Sequence, residues 1–212
     1  MNENRVKRNQ MLAAQVIKGL ESRNMKGYFA ETKEEALQLA LELIPEGSSV
    51  GWGGSVSMQE IGLKDKICQG NYKVYNRDVF KDLAEKRATE LAIMDADYFI
   101  CSSNAVTEDG VLVNIDGMCN RVASIAWGPR NVVMIVGMNK IVKSVDDAVS
   151  RARNVAAPIN TQRFNLDTPC CKTGACFDCK SPDTICCQFL ITRFSRIPGR
   201  IKVILVNDEL GF

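Results

Sequence analysis

Six of the nine cysteines fall in one short stretch, Cys170 to Cys187, in PCCKTGACFDCKSPDTICC. Thiols this close together can hold zinc or an iron–sulfur cluster, or can close into disulfides. Cys176 and Cys179 form a CxxC half-site, and Cys170 and Cys186 lie near enough on either side to complete four ligands. The chain has no histidine, so a four-thiolate site is the simplest closed arrangement. The spacing fits neither the ferredoxin runs nor a standard zinc ribbon. Zinc, a cluster, a dithiol redox pair at the CxxC and plain packing of small apolar side chains therefore all stand as readings. Without histidine, Ser–His–Asp, Cys–His and HExxH chemistry cannot be built from one chain. Proton transfer then falls to Asp, Glu, Lys, Tyr or thiol groups, of which Asp116 and Lys140 are the best placed.

Two further runs could bind a ligand. Gly51-Trp52-Gly53-Gly54-Ser55 leaves an apolar strand and leads into a helix. Glycines allow main-chain N–H groups to converge, and a helix start adds partial positive charge, a pairing suited to phosphate or carboxylate at Gly53, Gly54 and Ser55. It is neither a Walker loop nor the dinucleotide fingerprint, and a tight strand-to-helix turn is the plainer alternative. Residues 102–122, SSNAVTEDGVLVNIDGMCNRV, are dense in small polar side chains. Asn104, Thr107, Asn114, Asp116, Asn120 and Arg121, with Asn139 beside Lys140, offer donors, acceptors and a fixed cation for a small polar or anionic ligand. Turn chemistry, with Asp109 and Asp116 bonding their own backbone, competes with that reading.

These residues need a frame to hold them. At 212 residues and 46% hydrophobic, the chain is long enough for a full core. Helical spacing over residues 5–23 and a Thr32/Glu35 capping box before ALQLALELI predict two helices ahead of the first central strand, at 48–52. A Ser57/Glu60 capping box predicts another helix start. Strands follow at 72–76, 98–103, 111–115, 131–137 and 200–208. Helices are expected at about 78–93, near 120–127, and from a Ser144/Asp147 start to Pro158. Short β-branched runs without polar alternation, separated by helices, imply an α/β fold: an open, largely parallel sheet with helices on both faces. Residues 1–212 read as one domain, with a helical segment over 1–30 and a cysteine-rich irregular flap over 159–190.

The 27 basic and 25 acidic side chains are interspersed, which argues against nucleic acid or an anionic membrane as partner. The N-terminal run is charged throughout, with no signal-peptide or membrane-spanning pattern, so a cytoplasmic location is expected. In that reducing compartment the cysteines are expected to be free, with Cys68, Cys101 and Cys119 structural.

The runs GWGGSVSMQEIGL, SSNAVTEDGVLVNIDGMCNRVASIAWGP, VGMNKIV and AAPIN, with the cysteine segment, resemble the LUD-domain, or lactate-utilisation, family over nearly the whole chain. The resemblance implies the fold shared by glucosamine-phosphate deaminase, ribose-phosphate isomerase and CoA transferases. It implies a component of a system oxidising lactate or a similar small hydroxy acid, part of a multi-subunit L-lactate oxidation complex beside iron–sulfur partner subunits. Lactate, pyruvate, a sugar phosphate or a CoA ester is the implied ligand class, and further copies of the chain are candidate partners. In the family's recurring cysteine pattern, Cys170, Cys176, Cys179 and Cys186 match, while Cys171 and Cys187 are extra. A non-catalytic ligand-binding or assembly module, its flap holding structural zinc or no metal, is the alternative.

Overall fold

The computed structural model describes residues 2–212. Helix α1 (Glu3–Ser22) starts at Asn2, whose side chain accepts the N–H groups of Asn4 and Arg5, and buries Leu12, Ala13, Val16 and Leu20. Asn24 then takes a left-handed φ of 60°, which ends the helical path. The chain next forms strand β1 (Lys26–Ala30). The expected helical segment over 1–30 is thus corrected at its end: an edge strand occupies Lys26–Ala30, ahead of the second expected helix. Next come α2 (Lys33–Leu43), β2 (Ser49–Trp52), α3 (Val56–Glu60), α4 (Leu63–Gln69), β3 (Lys73–Tyr75), α5 (Leu83–Ile93) and β4 (Tyr98–Cys101). A hairpin of β5 (Ala105–Thr107) and β6 (Leu112–Asp116) leads to α6 (Asn120–Ala126), β7 (Asn131–Gly137) and β8 (Ile141–Val142). The chain closes with α7 (Val145–Arg151), α8 (Ala157–Phe164), α9 (Pro169–Thr173), β9 (Gln188–Thr192) and β10 (Ile201–Val206).

The main sheet has the order β1-β10-β7-β4-β2-β3, and every neighbouring pair is parallel. Both faces are apolar, which is why its strands read as unbroken hydrophobic runs. On one face Val50, Trp52, Ile100, Val133 and Ile135 meet Ala36, Ala40, Met58, Leu63 and Ile67 of α2, α3 and α4. On the other, Phe99, Cys101, Val132, Met134 and Val203 meet Leu12, Val16, Leu20, Ile93 and Ile125 of α1, α5 and α6. This is the expected open parallel sheet with helices on both faces.

A second sheet, β8-β5-β6-β9, was not foreseen as a unit. It is mixed: β5 runs antiparallel to β6 and parallel to β8, and β6 runs antiparallel to β9. Helix α1 is clamped to its hairpin where Gly19 meets the backbone of Asp109 and Gly110. A Cβ on Gly19 would stand 2.4 Å from the Asp109 carbonyl carbon. Arg23 donates to the Asp109 carbonyl at 2.7 Å from the same helix end.

Two further expectations are corrected. Pro158 does not end its helix: a π-helical segment over Ala152–Ala156 joins α7 to α8. Pro158 then falls in the first turn of α8, directly after the π-helical turn. The 159–190 segment is also less irregular than expected, holding most of α8, all of α9 and the start of β9.

In the main sheet the chain leaves β2 for β3 on one side, then returns to β4 on the other. The loops at the carboxyl ends of β2 and β4 therefore diverge, and such a switch point opens a crevice in an open α/β sheet. Among the described residues no helix is long and apolar enough to cross a membrane.

Candidate functional site

A cavity of about 220 Å³ occupies that crevice. Gly54 and Ser55 come from the loop after β2, Ser57 from the first turn of α3, Ser102 and Asn104 from the end of β4, and Lys140 from the turn after β7. Its charged side chains are Arg77, Arg121, Lys140 and Arg163 against the one acidic side chain of Asp116, and Arg77 is itself paired with Glu90 at 3.1 Å.

Lys140 lies 2% exposed. Its Nζ donates to Ser57 Oγ and Ser102 Oγ, each at 3.0 Å. The two hydroxyl oxygens are themselves 3.5 Å apart. Burial first, then the Arg151 and Arg121 guanidiniums, push the ammonium down to about 7; Glu60 and Cys101 pull weakly the other way.

Ser57 is free for this role because the expected Ser57/Glu60 capping box does not form. Ser55 caps α3 instead, accepting the Met58 N–H at 3.3 Å. Glu60 accepts the N–H of Gly211 at 2.8 Å. Gly211 crosses directly over the lysine: at φ +52°, a Cβ there would lie 2.8 Å from Ser57 Oγ and 3.3 Å from Lys140 Nζ. Helix α3 has only 5 residues, too few peptide dipoles to make its start a strong anion site. The positive character of the cavity comes from side chains.

Arg121 lines the cavity with its donors already engaged. It donates to Asn114 Oδ1 at 2.8 Å, Asn104 Oδ1 at 3.0 Å, the Ser102 carbonyl at 3.2 Å and the Ile115 carbonyl at 2.5 Å. Its Nε stands 3.7 Å from Asp116. Gly53 makes room for it, since a Cβ there would be 2.9 Å from Arg121 Cγ. Asp116 accepts the N–H groups of Met118, Cys119 and Val122, which is turn and helix-start chemistry.

Of the residues expected from the sequence, the cavity gathers Gly54, Ser55, Asn104, Asp116, Asn120, Arg121 and Lys140. Gly53, Thr107, Asn114 and Asn139 are not in its lining. Thr107 closes the β5–β6 turn, its Oγ1 accepting the Val111 N–H at 2.8 Å. Asn114 is fully buried holding Arg121, with Nδ2 unpartnered. Asn139 Oδ1 accepts the Leu210 N–H at 3.2 Å and so fastens the segment that carries Gly211. Sequence reasoning missed Ser57, Ser102, Arg77, Arg163 and Gly211. Ser57 had been assigned to a cap, Ser102 opens the polar run 102–122 without being singled out in it, and the others sit in no local pattern.

A second cavity, about 60 Å³, is lined by Cys170, Cys176, Cys179 and Cys186; Cys171 and Cys187 do not line it. All nine cysteines are free. Cys170 Sγ lies 3.3 Å from Thr168 Oγ1, and Cys176 Sγ accepts the Asp178 N–H at 3.5 Å. Arg153 Nη2 stands 3.8 Å from Cys176 Sγ. Burial, then the neighbouring Cys176, Cys170 and Cys179, push the Cys186 thiol up to about 11. Among the described residues no group of three or more Cys, Asp or Glu side chains is arranged to hold a metal ion. The donor set nonetheless fits a thiophilic metal chemically: four sulfurs share one cavity, with hydroxyl, amide and guanidinium donors behind them. Ala157 and Ile185 are walls of both cavities.

A family model described as the LUD domain matches residues 13–206. A solved DUF162-family protein from Deinococcus radiodurans is similar in structure, with a TM-score of 0.54 at 11% identity, over 93% of this chain and 98% of that one. The beta subunit of eIF2B from Chaetomium thermophilum scores 0.39 at 16% identity, over 54% of this chain and 44% of that one. The delta subunit scores 0.33 at 12% identity, over 68% and 57%. No curated protein matches the chain.

Proposed function

The chain belongs to the LUD-domain family, and from that premise we propose that it serves a system oxidising lactate or a similar small hydroxy acid, binding a small anionic metabolite in the switch-point cavity. The observation that carries this reading is the excess of cationic over anionic side chains around a buried lysine in that crevice. An anion entering there would meet Arg163, Lys140 and the unpartnered Nε of Arg77, while Arg121 keeps the floor rigid through its own acceptors. Ser57 and Ser102 hold the lysine amine in place and can pass a proton to or from it.

Cys170, Cys176, Cys179 and Cys186 would hold zinc or an iron–sulfur cluster in this proposal. A cluster would supply electron transfer toward an iron–sulfur partner subunit, and zinc would close the flap.

The ligand reading is tested by thermal-shift titration with lactate, pyruvate, sugar phosphates and a CoA ester. A true ligand at one hundred times its Kd adds about 2.7 kcal/mol to stability. Gly54→Asp, which places a carboxylate in open cavity space, should erase that gain. Indifference of wild type to every compound would sink the reading. The cysteine reading is tested by visible absorption and metal analysis of anaerobically purified protein, and a colourless preparation free of iron and zinc would exclude it.

A further inference from the structure

We infer that Lys140 is a nucleophile that condenses with the carbonyl of a short α-oxo acid, with Ser57 and Ser102 relaying the proton and lining guanidiniums holding the carboxylate. The inference rests on the anion-binding reading of the same cavity and gives that anion a chemical class.

The geometry singles out this amine. Buried lysines are ordinarily paired with a carboxylate. Lys140 instead has two serine hydroxyls at 3.0 Å, and among the described residues no carboxylate oxygen lies within ion-pairing distance of it. It is shut from bulk solvent yet lines the cavity, beside the crossing of Gly211. The groups facing it are Arg121 and Arg151, which disfavour its charge, and Glu60 and the Cys101 thiol, which favour it. The balance leaves a large neutral fraction near pH 7, the form with a lone pair to give. For the carboxylate, Arg163 lines the cavity, and so does Arg77, whose Nη1 is paired with Glu90 at 3.1 Å while its buried Nε has no hydrogen-bond partner.

The step balances without an added oxidant or reductant. The amine lone pair attacks the carbonyl carbon, and the C=O π pair moves onto oxygen. That oxygen takes the proton released by the new ammonium through a serine hydroxyl, giving a carbinolamine. The second amine proton then leaves through the same hydroxyls to the departing oxygen, water is expelled, and the C=N bond forms. Amine and carbonyl become imine and water.

The test is reductive trapping of the full chain with pyruvate and sodium cyanoborohydride, followed by intact mass and peptide mapping. One carboxyethyl group per chain, mapped to Lys140, is expected. Lactate, which has no carbonyl, should give none. Lys140→Arg, which keeps the charge but does not deprotonate, should remove the adduct. Ser57→Ala should slow trapping on the order of 100-fold while leaving the site of modification unchanged. No adduct, or one spread over exposed lysines at the rate seen in Lys140→Arg, overturns the inference. A thermal shift with any of the anions but no Lys140 adduct with pyruvate overturns the imine and leaves anion binding standing; no shift with any of them and no adduct overturns both.

Discussion

Lys140 sets the cavity's response to pH. Its folded-state value is about 7 against an ordinary 10.5, so between those limits the unfolded chain binds a proton that the folded chain has released. Stability therefore rises with pH through that window; the penalty of burying the charge is complete below pH 7 and gone above 10.5. Each unit of pH corresponds to at most about 1.4 kcal/mol. Lys140→Met lacks this titration, so the stability difference between the two proteins should move in favour of wild type from pH 7 to pH 10, read by urea melts. A constant difference would place the amine in ordinary solvent. The thiols allow a second comparison at this scale: Cys170, Cys176, Cys179 and Cys186, changed singly to Ser, should lower bound metal, while Cys171→Ser and Cys187→Ser should leave its stoichiometry intact. Residue types were informative before the fold was known. Six clustered thiols, one lysine, a glycine loop and one arginine were legible because their chemistry is written in the side chain, whereas the choice of four among the six thiols came from the family resemblance. Ser57 was not, since a serine three residues before a glutamate has the same spacing whether it caps a helix or faces a cavity.

At the scale of elements, the central strands were legible as β-branched runs, because a strand buried on both faces leaves no polar alternation. Strand β1 was hidden by its shortness and by its half-buried edge position, next to a helix whose amphipathic pattern runs up to it. Pro158 misled for a different reason: proline excludes the interior of a regular α-helix, and the π-helical turn before it begins a new first turn. That turn brings Ala152 and Ala156 to the cavity wall, both about 1% exposed. Ala156→Leu should therefore fill ligand space, lowering stability by ~1–3 kcal/mol and abolishing any ligand-induced thermal shift. A variant that retains the full shift would show that this wall does not bound the ligand.

The molecule as a whole is two sheets, and helix α1 is one of the ties between them, beside α6. Helix α1 packs on the main sheet and, at Gly19, lies backbone to backbone against the hairpin of the second. Because the atoms opposing a Cβ there are main chain, they cannot swing aside. Gly19→Ala should cost about 1–3 kcal/mol in chemical denaturation, or ~2–4 °C in Tm for each kcal/mol in a chain of this size. Ligand-induced shifts should survive, as Gly19 is remote from the cavity lining. No local pattern announces such a contact, since its two halves are far apart in sequence. The partition that Ala157 and Ile185 make between the two cavities has a thermodynamic consequence. Any occupant of the thiol chamber that displaces this partition alters the affinity of the lysine chamber by some factor. Reciprocity then requires the metabolite to alter retention of that occupant by the same factor, so a chelator titration with and without pyruvate reads the coupling from either side.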